Sequence, residues 1–262
     1  MSAEQSRYQA LRAHLGYLRL TAAAEALPGE LERATKEKLG PSAFLERLLR
    51  IEVEATEARR LQSRLRFANL PAPWRLEDFD FEAQPSVDRA LVDELATLRF
   101  VAEAANVLLI GPPGVGKTML SICLGRRAVE AGYRVYYTTA ADLVARCHRA
   151  AIEGRWATTM RFFCGPGVLI IDELGYLPLQ AEAAAALFQV VSRRYQKGSI
   201  ILTTNRGIAS WGQIFDDPMV AAAMLDRLLH RSAVIAIDGE SYRMRAHRAQ
   251  VEALRKGVGR GA

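Results

Sequence analysis

The segment Gly111-Pro112-Pro113-Gly114-Val115-Gly116-Lys117-Thr118 fits the spacing G-x-x-x-x-G-K-[ST]. Glycines let backbone N–H groups turn toward a phosphate chain, and a helix N-terminus adds partial positive charge. The flanks meet this requirement. Val107-Leu108-Leu109-Ile110 reads as a buried strand, and Met119 to Val129 as a helix. Lys117 can then reach the β- and γ-phosphates, and the Thr118 hydroxyl can ligate Mg²⁺. Gly111 through Met119 is therefore expected to bind a nucleoside triphosphate.

A second apolar strand, Val168-Leu169-Ile170-Ile171, closes on Asp172-Glu173. This is a Walker B pattern, and its C-terminal edge is expected beside the phosphate loop. Asp172 is placed to hold Mg²⁺ and Glu173 to polarise an attacking water. Asn205, at the tip of Ile200-Ile201-Leu202-Thr203-Thr204, could bond that water or the γ-phosphate. In this it resembles sensor 1 of AAA+ ATPases. Arg227, in Ala223-Met224-Leu225-Asp226-Arg227-Leu228, resembles an arginine finger offered to a neighbour's nucleotide; Arg231 lies one turn further. Such an arginine spreads transition-state charge. Arg243, in Gly239-Glu240-Ser241-Tyr242-Arg243, could reach the phosphates of its own subunit, as sensor 2 does.

The elements that must position these residues alternate. Strands are expected at Arg134 to Thr138, Ser199 to Thr203 and Ala233 to Ile237, besides the two above. Helices are expected at Val87 to Phe100, Ala140 to Ile152, Trp156 to Phe163, Ala181 to Gln196 and Pro218 to His230. Alternation of this kind implies α/β architecture, a parallel five-stranded sheet between helices. Ahead of it the chain reads as all-helical. Leu11, Leu15, Leu18 and Ala22 mark a helix over Ser6 to Ala26, and Pro28-Gly29 breaks it. Leu31 to Leu39 forms a short helix. Ser42 caps a long charged helix reaching about Phe67, whose apolar face is Leu45, Leu48, Leu49 and Ile51. The expected division is 1–68 helical, 69–86 linker, 87–248 ATPase core and 249–262 a basic tail. Trp74, Phe79 and Phe81 of the linker are expected to pack on the core.

The chain has 262 residues and a formal net charge of +6, which suits a polyanionic partner. Arg59, Arg60, Arg64 and Arg66, a run without an intervening acid, are the candidate phosphate contacts. The three cysteines, Cys123, Cys147 and Cys164, are widely spaced and include no C-x-x-C pair, so neither a disulfide framework nor a zinc site is suggested. A reducing cytosol is expected, with neither signal peptide nor membrane span.

Several blocks together resemble the IstB family, ATPase helpers of insertion-sequence transposases. They are the phosphate loop, Thr138-Thr139-Ala140-Ala141-Asp142-Leu143, Leu169 through Pro178, Trp211-Gly212-Gln213-Ile214-Phe215, Met224 through His230, and Gly239 through Arg243. The resemblance implies a P-loop AAA+ core preceded by a small helical domain, using ATP and Mg²⁺. It also implies ATP-dependent assembly on duplex DNA with little sequence preference, a cognate IstA-like transposase as partner, and a head-to-tail oligomer in the bacterial cytoplasm at the nucleoid. Two departures stand out: Arg231 stands where a second His is expected, and Arg206-Gly207 follows the sensor Asn. A DnaC-like helicase loader is the alternative, since loaders share the Walker motifs, the sensor Asn and the Arg. A small-molecule P-loop kinase fits less well, because no Arg-rich lid lies between the Walker motifs and the N-terminal helices would have no role.

Overall fold

The computed structural model describes residues 3–176, 179–215, 217–242 and 244. It divides into two compact units, 1–63 and 64–262. The division falls inside a long helix, and the stretch 69–86 belongs to the second unit.

The first unit holds α1 (Ala3–Tyr17), α2 (Thr21–Glu37) and most of α3 (Pro41–Ala68). The expected break at Pro28-Gly29 does not occur. The chain turns earlier, at Arg19 with φ 60°, and α2 continues through Pro28 and over the expected Leu31 helix. A proline inside a helix removes one N–H bond and costs about 3 kcal/mol. Tertiary packing offsets it here: Ala23 and Leu27 are buried against Leu48. Ser42 is not the cap of α3, because Pro41 already occupies the first helical position and Phe44 N–H donates to Gly40 O. Of the expected apolar face of α3, Leu48 is buried whereas Leu45 and Leu49 are exposed.

Glu52, buried on α3, accepts from the Ala23 backbone N–H at 3.0 Å. Ala23 lies in the first turn of α2, where N–H groups lack helical partners. That bond, with Arg59 and Thr56 assisting against the cost of burial, holds the Glu52 carboxyl below its ordinary value.

In the second unit, β1 (Asn106–Ile110), β2 (Val135–Thr139), β3 (Val168–Leu174), β4 (Ser199–Thr204) and β5 (Ser232–Ala236) form one parallel sheet ordered β2-β3-β4-β1-β5. The expected helix over Val87 to Phe100 is two pieces, α4 (Arg89–Ala96) and α5 (Arg99–Ala102), broken where Leu98 takes φ 64°. After β1 come α6 (Lys117–Glu130), α7 (Ala140–Ile152), α8 (Trp156–Cys164), α9 (Ala181–Arg194) and α10 (Pro218–Leu229). One face of the sheet carries α6. On the other, α7, α9 and α10 bury a core that includes Leu143, Leu187, Trp211 and Leu228. Among the described residues no helix is long and apolar enough to cross a membrane.

The starting edge of the sheet is tied by a buried cation. Arg194, 1% exposed, donates to the carbonyls of Phe163, Pro166, Gly167 and Ser199. Burial pushes its guanidinium down to about 10. Arg194→Met is expected to leave these carbonyls short of donors and to destabilise the second unit by about 3 kcal/mol or more. Arg194→Lys, with three donors, should lose less. Urea denaturation with matched slopes would check both.

Glu52 supplies a pH test. Its folded-state pKa is depressed, so its stabilising contribution is present above the ordinary value of 4.5 and is lost as pH falls below it through the folded value. Thermal melts of the chain are expected to show the first unit weakening across that window. Glu52→Gln should melt lower at neutral pH and respond less to acid.

Candidate nucleotide site

Alternation along the strands decides which side chains meet. Leu169 and Ile171 of β3, and Ile200 and Leu202 of β4, belong to the core under α7, α9 and α10. The residues between them face α6: Ile170 sits so close to Gly125 that a Cβ there would press on it. Asp172 and Thr203 inherit this phase. So does Tyr137 on β2, whose neighbour Tyr136 packs against the opposite core. All three therefore project toward the N-terminus of α6, where Lys117 and Thr118 begin the helix.

They converge on one carboxylate. Asp172, 2% exposed, accepts from Tyr137 Oη at 2.6 Å on Oδ2. On Oδ1 it accepts from Thr118 Oγ1 at 3.1 Å and from Thr203 Oγ1. Burial first, and then the bond to Asp172, hold the Tyr137 phenol well above its ordinary range, so it remains a donor. Glu173 is exposed, with φ 63°, and its N–H donates to Thr203 Oγ1 at 2.9 Å.

The phosphate loop is held from both ends. Lys117 Nζ donates to Gly111 O and Pro112 O, each at 2.7 Å. The segment after β5 lies directly on the loop: Ile237 N–H donates to Ile110 O, and Tyr242 N–H to Gly114 O. A Cβ at Gly111 would collide with the Ile237 carbonyl, and one at Gly114 with the Ser241 side chain. Gly114 and Gly116 also take φ 82° and 101°, conformations that favour glycine.

Beside the loop opens a cleft of about 310 Å³. Gly114 through Met119 line it, as do Glu173 and Thr203. Trp74, Phe79 and Tyr242 give it an apolar side, flanked by Asp78 and Gln84. The cleft offers backbone dipoles and a cation for phosphates, hard oxygen donors for Mg²⁺, and aromatic surface for a base. The Thr118 hydroxyl and the Asp172 carboxylate, in hydrogen-bond contact, fit a small hard cation. Among the described residues no cluster of three acidic, His or Cys side chains could hold a metal, so a divalent ion would also need phosphate oxygens.

Of the remaining expected residues, the described Asn205, Arg227 and Arg231 are not among those lining the cleft. The buried Oδ1 of Asn205 has no protein partner. Arg227 donates to Ala223 O on its own helix at 2.8 Å and lies over the Phe188 ring at 4.8 Å. Arg231 is exposed. Arg243 and the expected basic tail lie outside the described residues. Two expected DNA contacts are engaged within the protein: Arg59 pairs with Glu52 at 2.7 Å, and Arg64 Nε donates to Val129 O at 3.2 Å. A charge count along a helix does not reveal such partners. Arg60 and Arg66 are exposed.

Sequence reasoning did not single out Tyr137 or Thr203, nor give Trp74, Phe79 and Tyr242 a place in the cleft. Strand phase carried the signal for the first two. Each polar side chain falls one residue from an inward apolar neighbour, on the phase of Asp172.

The family model described as IstB-like ATP binding protein matches residues 13–250. A protein of insertion sequence IS5376 from Geobacillus stearothermophilus, named for ATP binding, is 45% identical over 235 residues, covering 90% of this chain and 94% of its own. Its counterpart in insertion sequence IS21 of Pseudomonas aeruginosa is 47% identical over 218 residues, covering 83% and 82%. In fold, the chain is similar to AMPPCP-bound DnaA from Aquifex aeolicus, with a TM-score of 0.54 at 19% identity over 71% of this chain and 56% of that one. It is also similar to DnaI, with a TM-score of 0.55 at 18% identity, covering 63% and 91%. The fold is that of an AAA+ core.

The contact at Gly111 yields a test. A methyl group there meets backbone, which cannot rotate away. Gly111→Ala is expected to weaken binding of a fluorescent ATP analogue at least tenfold, about 1.4 kcal/mol. Gly29→Ala, whose Cβ would meet nothing within 4 Å, should bind as the unaltered chain does.

Proposed function

Because the chain belongs to the IstB-like ATP-binding protein family, we propose that it is an ATP-hydrolysing DNA-binding protein that assembles on duplex DNA and helps a transposase select and use its insertion site. The observation that carries the hydrolytic reading is that Lys117, Thr118 and Glu173 line the cleft together, with Asp172 in hydrogen-bond contact with Thr118. The association with insertion sequences rests on the relatives, which are named for them. Likeness to DnaI is a likeness of fold and does not favour a helicase-loading role.

In this reading the loop N–H groups and the Lys117 ammonium bind the triphosphate. Thr118 and Asp172 hold Mg²⁺, whose chemistry when bound is to neutralise charge on the β- and γ-oxygens. Glu173 orients and polarises the attacking water, and Asn205 hydrogen-bonds that water or the γ-phosphate, its Oδ1 having no protein partner. Arg227, away from its own cleft, serves a neighbouring subunit, and Arg243 serves its own. A residue acting in trans requires a head-to-tail interface, which repeats into a ring or an open helix.

DNA is held through phosphates, with little preference for sequence. The support is the net charge of +6 and the exposed Arg60 and Arg66. The working place is the bacterial cytoplasm, on the nucleoid.

Two variants test the reading. Glu173→Gln is expected to bind ATP but turn it over at least about 10²-fold more slowly. Lys117→Ala is expected to lose nucleotide binding. By fluorescence anisotropy, Glu173→Gln with ATP should bind scrambled duplexes alike, and log affinity should fall with log salt by about 0.9 per phosphate neutralised. Normal hydrolysis by Glu173→Gln, or a strong preference for one sequence, would overturn it.

A further inference from the structure

The β3–β4 ladder steps at its end. Ile171 pairs with Leu202, but the next pair is Leu174 with Thr204. Two residues of β3, Asp172 and Glu173, thus stand opposite the single residue Thr203 of β4. An extra residue in a strand loses its ladder partner and re-aims side chains. Here Glu173 takes φ 63°, and its N–H goes to the Thr203 hydroxyl at 2.9 Å rather than to a β4 carbonyl. The hydroxyl's own hydrogen goes to Asp172 Oδ1. One buried side chain, 1% exposed, therefore accepts from the backbone of one acid and donates to the carboxylate of the other.

We propose that Thr203 is the positioning residue of the acid pair, its hydroxyl fixing Asp172 toward Thr118 while holding the bulge that turns Glu173 into the cleft. This rests on the hydrolytic reading above. A hydroxyl has one hydrogen and two lone pairs, so both bonds can be made at once only in this direction, from Glu173 N–H to Thr203 and from Thr203 to Asp172. The pleat puts Thr203 on the α6 side, and the bulge puts both acids within its reach. The Asp172 edge facing Thr118 would then be set before any cation arrives. Removing the hydroxyl leaves Oδ1 to Thr118 alone and the Glu173 N–H without its partner, while the phosphate loop keeps its own contacts.

Thr203→Val keeps the shape and removes the hydrogen bonds; Thr203→Ser keeps the bonds. Binding of a fluorescent ATP analogue is measured without divalent metal and across a Mg²⁺ titration, alongside turnover. For Thr203→Val, metal-free affinity is expected to stay within about twofold of the unaltered chain. The Mg²⁺ needed to strengthen binding should rise, and turnover fall, by roughly 10- to 100-fold, the range for outer partners of metal ligands. Thr203→Ser should restore both. Wild-type metal dependence and turnover in Thr203→Val overturn the proposal. So does equal loss of metal-free and metal-dependent binding, which marks a merely structural role. If circular dichroism shows Thr203→Val unfolded, Thr203→Ala, which also lacks the hydroxyl, replaces it, and wild-type behaviour there overturns the proposal equally. If the unaltered chain does not hydrolyse ATP, the functional reading fails, and the Mg²⁺ titration of binding still decides the role of Thr203.

Discussion

The Asp172 carboxylate draws hydroxyl donors from three other elements, Thr118 on α6, Tyr137 on β2 and Thr203 on β4. A carboxylate this buried needs its acceptors satisfied, so the positions of those elements are linked through it. The linkage explains why strand phase matters so much at this end of the sheet. A one-residue slip in β2, or a flipped pleat in β4, would carry Tyr137 or Thr203 to the far face and leave the carboxylate short of donors. The same hydroxyls define which carboxylate edge meets the helix N-terminus.

The opposite end of the sheet is built with reversed polarity. There Arg194, a buried cation, gathers carbonyls from the end of α8, the turn before β3 and the start of β4. Between the two poles the sheet is almost wholly apolar. Polar groups in the interior thus sit at strand ends, where chain reversals leave backbone groups to satisfy. At the trailing end they sit beside the cleft, which Thr118 and Thr203 line.

Elements with strong local signals were legible in the sequence. The buried strands read as continuous apolar runs, and the Gly-rich loop needed only its own flanks. Errors arose where distant contacts overrule local rules. Pro28 reads as a helix end, yet Leu48 and Glu52, more than a turn of sequence away in another helix, keep α2 intact around it. Arg59 is exposed, as its charge suggests, but it also pairs with Glu52, while half-buried Arg64 meets a carbonyl of α6. In the candidate site, the residues on the phosphate loop and β3 could be found by spacing. Tyr137 and Thr203 could not, because each is a polar residue inside a run that already reads as strand, and only the pairing of β2 and β4 with β3 gives it a role. The aromatic wall depended on the path of 69–86, which no periodicity records.

The close fit of Ile237, Ser241 and Tyr242 against the phosphate loop has a consequence for how the protein is made. A chain emerges from the ribosome N-terminus first, at about 5–20 residues per second. The loop and its helix are therefore synthesised well before the segment that packs on them. During that interval the glycine turns lack the backbone donors and the steric backing they have in the finished molecule. Premature termination between Ala236 and Tyr242 would leave α6 and the five strands encoded but the loop unbraced. A gene copy truncated there would yield the phosphate-loop motif without its brace.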